Sequence, residues 1–318
     1  IPTDPARAEL EAQKQSLKPA EYEQLYQELR AKMGLDDPLV VRYMRWMGLW
    51  PDVGDNSDFN GLLQGNFGYS QFYKQDVIKV ISVPMQNTIF INIFSTILAL
   101  GITIPLGIFC AVHKGKKVDN TVQVVTMLGY SIPIYIIALI FMFFFCVLWR
   151  IFPISGTKTA GAIYATKWDE FVDMLYHIAL PTIVMTFASL GGMTRYVRSA
   201  MIDALSMDYI RTARAKGVGE RKIVMHHCLR NALLPIITVV GVDFGYVLGG
   251  SVVIESVFAL GGLGTLLISS IRMKDTPVVM GAVMFITVAY SLVNLAVDLI
   301  YAFVDPRIKS QYAKGEIK

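Results

Sequence analysis

Charge is scarce in this sequence. Only 17% of its 318 residues are Asp, Glu, Lys or Arg, against about 25% in ordinary soluble domains. Hydrophobic residues make up 54%, and mean hydropathy is +0.48. Cysteine is scarce as well. Cys110 and Cys146 lie in apolar stretches and Cys228 in a basic one, so no extracellular disulfide framework is expected. The chain opens at Ile1 without an initiator Met or a signal-peptide pattern. It has no phosphate-binding loop: Ser155-Gly156-Thr157-Lys158-Thr159 lacks the first glycine that G-x-x-x-x-G-K-[S/T] requires. Nor does it carry a His-Glu-x-x-His helix, a Gly-x-Ser-x-Gly turn or a Ser–His pair. These absences exclude a soluble globular enzyme, a disordered chain, a disulfide scaffold and an intramembrane hydrolase.

What the chain does have is long uncharged runs. Thr88–Val112 holds 25 consecutive residues without a charge and Val122–Trp149 holds 28. About 20 residues at a rise of about 1.5 Å suffice to cross a bilayer core. Three further spans are read at Ile178–Tyr196, Pro235–Ile254 and Val278–Val304. Runs this long do not alternate in and out, which excludes a β-barrel. The expected class is an all-α polytopic membrane protein with five visible transmembrane helices.

Lys and Arg in the connections orient those spans. Segments 113–119, 195–230 and 305–318 alternate to one side and together carry a formal charge of +9. Residues 1–87, 150–177 and 255–277 fall on the other side and carry −3. The positive side is cytoplasmic, so residues 1–87 face outward and the C-terminus faces inward. The expected organisation is an extracytoplasmic extension over 1–87, a membrane domain over 88–304 and a cytoplasmic tail over 305–318. In the extension, Tyr22, Leu25, Tyr26 and Leu29 share one face of a helix over Pro19–Met33. Asp37-Pro38 reads as a cap and first helical position before Leu39–Gly48. This region is either a helical extension packed on the membrane domain or a docking surface for an extracytoplasmic partner.

The longest cytoplasmic connection, Ser199–Pro235, is distinctive. Two helical patterns flank the break Gly217-Val218-Gly219. The first spaces Leu205, Tyr209 and Ala213 by four; the second runs from Glu220 to Asn231. Arg211, Arg214, Lys216, Arg221 and Lys222 crowd the bend. A compact helix–glycine–helix knob can enter a cleft on a cytosolic partner and transmit rigid-body motion to the spans beside it. A basic amphipathic loop resting on anionic headgroups is the competing reading.

The run DYIRTARAKG followed by RNALLP resembles the coupling motif of bacterial ATP-binding-cassette (ABC) importer permeases. NTIFINI, PLGIFCAVHKGKKVDN, GYSIPIYI, LPTIVMTFASLGGMTRYVRSAM, GGSVVIESVFALGGLG and NLAVDLIYAFVDPRIK, in that order, are similar to the dipeptide/oligopeptide permease family. Two departures stand out. Ala213-Arg214-Ala215 replaces the Glu-Ala-Ala after which the motif is named, and Gly261 stands where the family commonly has Pro. Ile1-Pro2-Thr3-Asp4-Pro5 resembles the end of the family's opening span, so a sixth span is expected ahead of Ile1.

The resemblance implies a type I ABC importer fold in the bacterial inner membrane. The implied partners are a second permease subunit, two cytoplasmic ATP-binding subunits and an extracytoplasmic peptide-binding protein. ATP and Mg would be bound by the ATP-binding subunits and not by this chain. Asp208, Tyr209, Arg211, Ala213, Arg214, Ala215, Lys216 and Gly217 would couple to the ATPase. Peptide is the implied cargo; nickel or another small solute is carried by some branches of the family.

Intramembrane carboxylates are costly and usually face a bundle interior or a watery cavity. Asp243 is therefore read either as lining the pathway or as bonding between helices, and Glu255 as a candidate contact to substrate or binding protein. Asp298 is read as a structural partner for a basic residue. A self-sufficient ion-coupled carrier using Asp243 and Asp298 is the alternative from another class, although it has no need of a basic docking knob. His226-His227-Cys228 places its side chains about 100° apart on a helix and is not read as a metal site. No nucleic-acid partner is expected.

Overall fold

The computed structural model describes residues 4–10, 18–53, 58–248 and 252–304. The tail expected over 305–318 lies outside them. In chain order the elements are α1 (Pro5–Leu10), α2 (Pro19–Lys32), α3 (Leu39–Met47), β1 (Tyr69–Ser70), β2 (Gln75–Asp76), α4 (Val77–Val112), α5 (Lys117–Ser131) and α6 (Ile134–Met142). There follow α7 (Lys167–Ser206), α8 (Asp208–Ala215), α9 (Glu220–Lys222), α10 (Leu229–Leu248), α11 (Val252–Val257), α12 (Leu263–Met273) and α13 (Thr276–Val304). A π-helical segment, Phe143–Leu148, continues α6, and another, Ile223–Cys228, joins α9 to α10.

The chain divides into two compact units. One holds the N-terminal region up to Met85 together with Leu266–Phe285; the other begins at Gln86, runs to Thr265 and resumes at Ile286. In the first, Tyr26 is buried against Ala6 and Leu10, with Tyr22, Leu29, Met33 and Leu35 around them. Leu25, expected on the same face, is 40% exposed because it lies at the edge of the stripe, roughly 60° round the helix from Tyr22. Asp4 ties α1 to α2: its Oδ2 accepts from Tyr26 Oη and Arg30 Nη1, each at 2.7 Å. Pro38 caps α3 instead of opening it, and Gly48 closes that helix in the left-handed conformation at φ +80°. The short antiparallel pair β1–β2 is held to the turn after α12 by a hydrogen bond from Ser70 Oγ to the buried Asp275 carboxylate.

Four helical stretches are long and apolar enough to cross a membrane: Val77–Val112, Lys167–Ser206, Glu220–Gly241 and Thr276–Ile300. Lys117–Ser131 and Ile134–Leu148 are apolar enough only when taken together, and they are bent by 96° at the break between them; counted as one broken span, the pair makes a fifth. The run Val122–Trp149 is therefore not one straight span. Pro133 cannot donate to the helix ladder, and it drives Ile132 into the extended region at φ −82°, ψ 130°. Pro181 and Pro235 lie inside their helices, as buried membrane helices tolerate. Pro235 therefore does not open the fourth span, which runs back without a break to Glu220.

The third stretch is also longer than its uncharged part. Its start is fixed by a capping box in which Thr166 Oγ1 accepts from Asp169 N at 3.2 Å while Asp169 Oδ2 accepts from Thr166 N at 3.0 Å. α5 and α7 lie backbone to backbone. A Cβ placed on Gly191 would collide with the Thr126 carbonyl oxygen and come within 2.7 Å of Tyr130 Cβ. An apolar core built on Ile137, Ile178, Leu180, Val184, Ile254 and Phe258 fills the space between α6, α7 and α11.

Candidate functional site

A second apolar cluster gathers the helix ends of the segment singled out by charge. Ile210 of α8 is fully buried against Ala111 of α4, Val197, Met201 and Ala204 of α7, and Ile223, Cys228, Ala232 and Ile236 of the following helix. α8 is thus a short amphipathic helix standing on one anchor. Its other side is open: Asp208, Arg211, Arg214, Ala215 and Lys216 are exposed, Tyr209 is 41% exposed and Ala213 is half-buried. Tyr209 Oη accepts from Asn231 Nδ2 at 2.8 Å, which ties the anchored helix to α10. Arg211 lies 3.7 Å from Asp208 one turn back, with both side chains in the open.

The break after α8 has a defined geometry. Gly217 adopts φ +75°, its N–H donates to Arg214 O at 2.9 Å, and Val218 N donates to Ala213 O at 3.1 Å. This paired closure satisfies the orphan carbonyls of a helix end and favours glycine at the left-handed position. A Cβ on Gly217 would meet nothing within 4 Å, so conformation and not space selects the glycine. Arg214 spans the bend: Nε and Nη2 donate to the two Glu220 oxygens at 2.7 and 3.2 Å. The Glu220 hydrogen bonds raise the already high pKa of this guanidinium.

All eight residues expected to face a partner, Asp208, Tyr209, Arg211, Ala213, Arg214, Ala215, Lys216 and Gly217, therefore fall on one helix and its closing turn. The helical patterns read from sequence divide differently, however. Leu205 belongs to α7, because Met207 at φ −72°, ψ 148° separates the two helices. The pattern beginning at Glu220 is the start of a membrane-crossing helix and not an independent arm.

Of the carboxylates singled out in the spans, two have described side chains. The side chain of Asp243, in α10, lies outside those described. Asp298 is exposed on α13. Glu255 is 3% exposed and faces inward. Its Oε1 accepts from Thr88 Oγ1 at 2.8 Å and its Oε2 from Thr265 N at 2.9 Å, while Thr88 Oγ1 accepts from Leu263 N at 2.8 Å. Gly262 and Gly264 press on the same carboxylate; a Cβ on Gly262 would collide with it. The group thus pins the segment after α11 to α4. Glu255→Gln sets an amide N–H₂ among donors and is expected to cost about 1–3 kcal/mol, the usual penalty for an unsatisfied buried polar group. Thermal unfolding of the purified protein measures it.

Three features of this region were not legible as site residues: the anchor Ile210, the Thr88 hydroxyl, and a bidentate pair between Asp119 and Arg198. A signal for the last existed, since Asp119 is the one acid in the basic turn 113–119.

Comparison with known proteins follows the same geography. The sequence family described as "Binding-protein-dependent transport system inner membrane component" matches residues 103–310, from within α4 past α13. The oligopeptide transport system permease protein AppB of Bacillus subtilis (strain 168) is 39% identical over 279 residues, 87% of this chain and 83% of that protein. The dipeptide transport system permease protein DppB of Escherichia coli (strain K12) is 32% identical over 326 aligned positions, covering 97% of this chain and 91% of its own. Among solved structures, an inward-facing form of the MetNI methionine ABC transporter superposes with a TM-score of 0.56 at 19% identity. It covers 72% of this chain and 97% of the matched one.

Proposed function

The chain belongs to the binding-protein-dependent inner-membrane components, the non-catalytic permease subunits of ABC importers, and from that premise we propose that it imports peptides and that α8 is its contact to the ATPase. The peptide assignment is supported by relatives whose names specify oligopeptide and dipeptide transport. The complex contains this chain, a second permease subunit, two cytoplasmic ATP-binding subunits holding ATP and Mg, and an extracytoplasmic peptide-binding protein. The C-terminus is cytoplasmic, a reading supported by the excess of Lys and Arg around α8.

The observation that carries the coupling assignment is the two-sidedness of α8. Ile210 fixes one side in the helix-end cluster while Asp208, Arg211 and Lys216 are exposed on the other. A helix held this way moves as a body with α7 and α10. When ATP binding closes the ATPase dimer, displacement of α8 shifts both membrane helices and changes which side of the membrane the pathway opens to. Peptide delivered from the binding protein enters when the pathway is open outward and leaves to the cytoplasm after hydrolysis.

Gly217→Trp tests this. The left-handed backbone adds a strain of roughly 1–2 kcal/mol, but the indole projects into open space and the fold persists. Wild-type melting behaviour is expected to be nearly kept, with loss of ATPase co-purification and of ATP-dependent peptide uptake in proteoliposomes. Gly217→Ala, which bears the same strain without the bulk, retains both. Full uptake by the Gly217→Trp complex would sink the coupling assignment. Uptake by this chain alone under a proton or sodium gradient would replace it with an ion-coupled carrier.

A further inference from the structure

The cluster around Ile210 joins α4, α7, α8 and the helix that starts at Glu220, but among the described residues α5 gives it no side chain. α5 is attached at that end by charge. Asp119, in its first turn, is completely buried. Its Oδ1 accepts from Arg198 Nε and its Oδ2 from Arg198 Nη2, both at 2.7 Å, and Oδ2 also accepts from Gly115 N at 2.9 Å. Arg198 lies on α7 directly beside Val197 and one turn before Met201, two members of the cluster that seats Ile210. This two-pronged bond fixes orientation as well as distance. The carboxylate cannot let go without leaving a buried charge uncompensated.

We propose that Asp119 and Arg198 are a positioning pair that carries displacement of α8 into α5, and through the break at Pro133 into α6. The proposal rests on α8 being the ATPase contact, as argued above. The two groups touch neither nucleotide nor cargo. They make α5 part of the body that moves, so that the bent fifth span follows the other helices when the ATPase closes. Loss of the pair leaves α8 and the ATPase in contact but lets α5 lag.

The test uses the assembled importer in proteoliposomes. Asp119→Asn and Arg198→Lys are expected to assemble and hydrolyse ATP, with peptide taken up per ATP hydrolysed reduced about ten-fold, a typical coupling effect. A purely structural role would lower yield and melting temperature without changing that ratio in the surviving complexes. A second measurement reads distance instead of uptake. Spin labels on Lys117→Cys and Ser206→Cys, both exposed positions, report the separation of the start of α5 from the end of α7. In the protein with the pair intact, that distance is expected to stay constant between nucleotide-free and ATP-trapped states. It broadens when Asp119→Asn is added. An unchanged uptake-to-hydrolysis ratio in both variants overturns the proposal, and so does a state-dependent distance in the intact pair. The underlying reading fails separately. If Gly217→Trp keeps its ATPase while Asp119→Asn loses the ratio, α8 is not the contact but the pair still relays motion.

Discussion

Ile210→Ala is expected to detach α8 from the membrane domain and abolish coupled transport. Ile210 is completely buried, and it is the residue of α8 that enters the core. Truncating a buried Ile to Ala costs about 2–5 kcal/mol, depending on how far the site collapses. Here collapse is limited, because the surrounding residues come from three other helix ends that are held by their own spans. The free energy lost falls mainly on α8, which has only eight residues and little stability of its own. The signature is specific: far-ultraviolet helicity changes little, ATPase co-purification falls, and residual hydrolysis no longer responds to peptide-loaded binding protein. Ile210→Val, which removes one methylene, is expected to cost about 0.5–1.5 kcal/mol and to keep coupling. Equal coupling in the alanine and wild-type proteins would contradict the anchoring role.

Gly191→Ala is expected to impair folding by forcing α5 and α7 apart. The added methyl collides with the Thr126 carbonyl oxygen, which belongs to the backbone of α5 and cannot rotate away. The two helices must separate or slide, and forced overpacking of this kind costs about 1–3 kcal/mol and occasionally more. Gly129 meets Phe187 along the same contact, so separation at Gly191 also loosens that packing. Yield in membranes and melting temperature in detergent should both fall. The neighbouring Gly192 provides the control. A Cβ there finds only Tyr130 Cε2, at 3.8 Å, and Gly192→Ala is expected to behave as wild type. If the two variants were indistinguishable, the close approach of α5 and α7 would be refuted.

Much of the architecture could be read without coordinates because a membrane imposes a simple rule on sequence. Uncharged runs of sufficient length mark the spans, and Lys and Arg mark a side. That rule is blind to backbone direction. Val122–Trp149 satisfies it along its whole length, yet the chain turns by 96° within it. Pro133 was the visible sign, but a proline inside an apolar run can sit within a continuing helix, as Pro181 and Pro235 do, or end one. Which happens depends on what can take up the freed backbone groups. α12 escaped notice for the opposite reason: at 11 residues it is too short for the rule and lies inside what reads as a connection.

The segment proposed to contact the ATPase was legible because its distinguishing residues are consecutive. Its seating was not. Ile210 looks in sequence like any apolar residue of a short helix, and only its neighbours make it an anchor. A sequence separation of 79 hides the pairing of Asp119 and Arg198 from any local pattern. Glu255 was visible as an unusual carboxylate, but sequence cannot tell whether such a group faces a passage or the donors of its own loop. The Thr88 hydroxyl and Thr265 N–H settle its direction.

That arrangement bears on how the segment after α11 can move. A carboxylate held by Thr88 and Thr265 and covered by Gly262 and Gly264 has no stable intermediate position. Withdrawing the loop a little removes donors before water can replace them, and a bare charge in a dry site is strongly unfavourable. The segment is either fully seated or far enough away for the carboxylate to be hydrated. Such a contact discriminates against partial openings and gives the rearrangement the character of a latch with two settings.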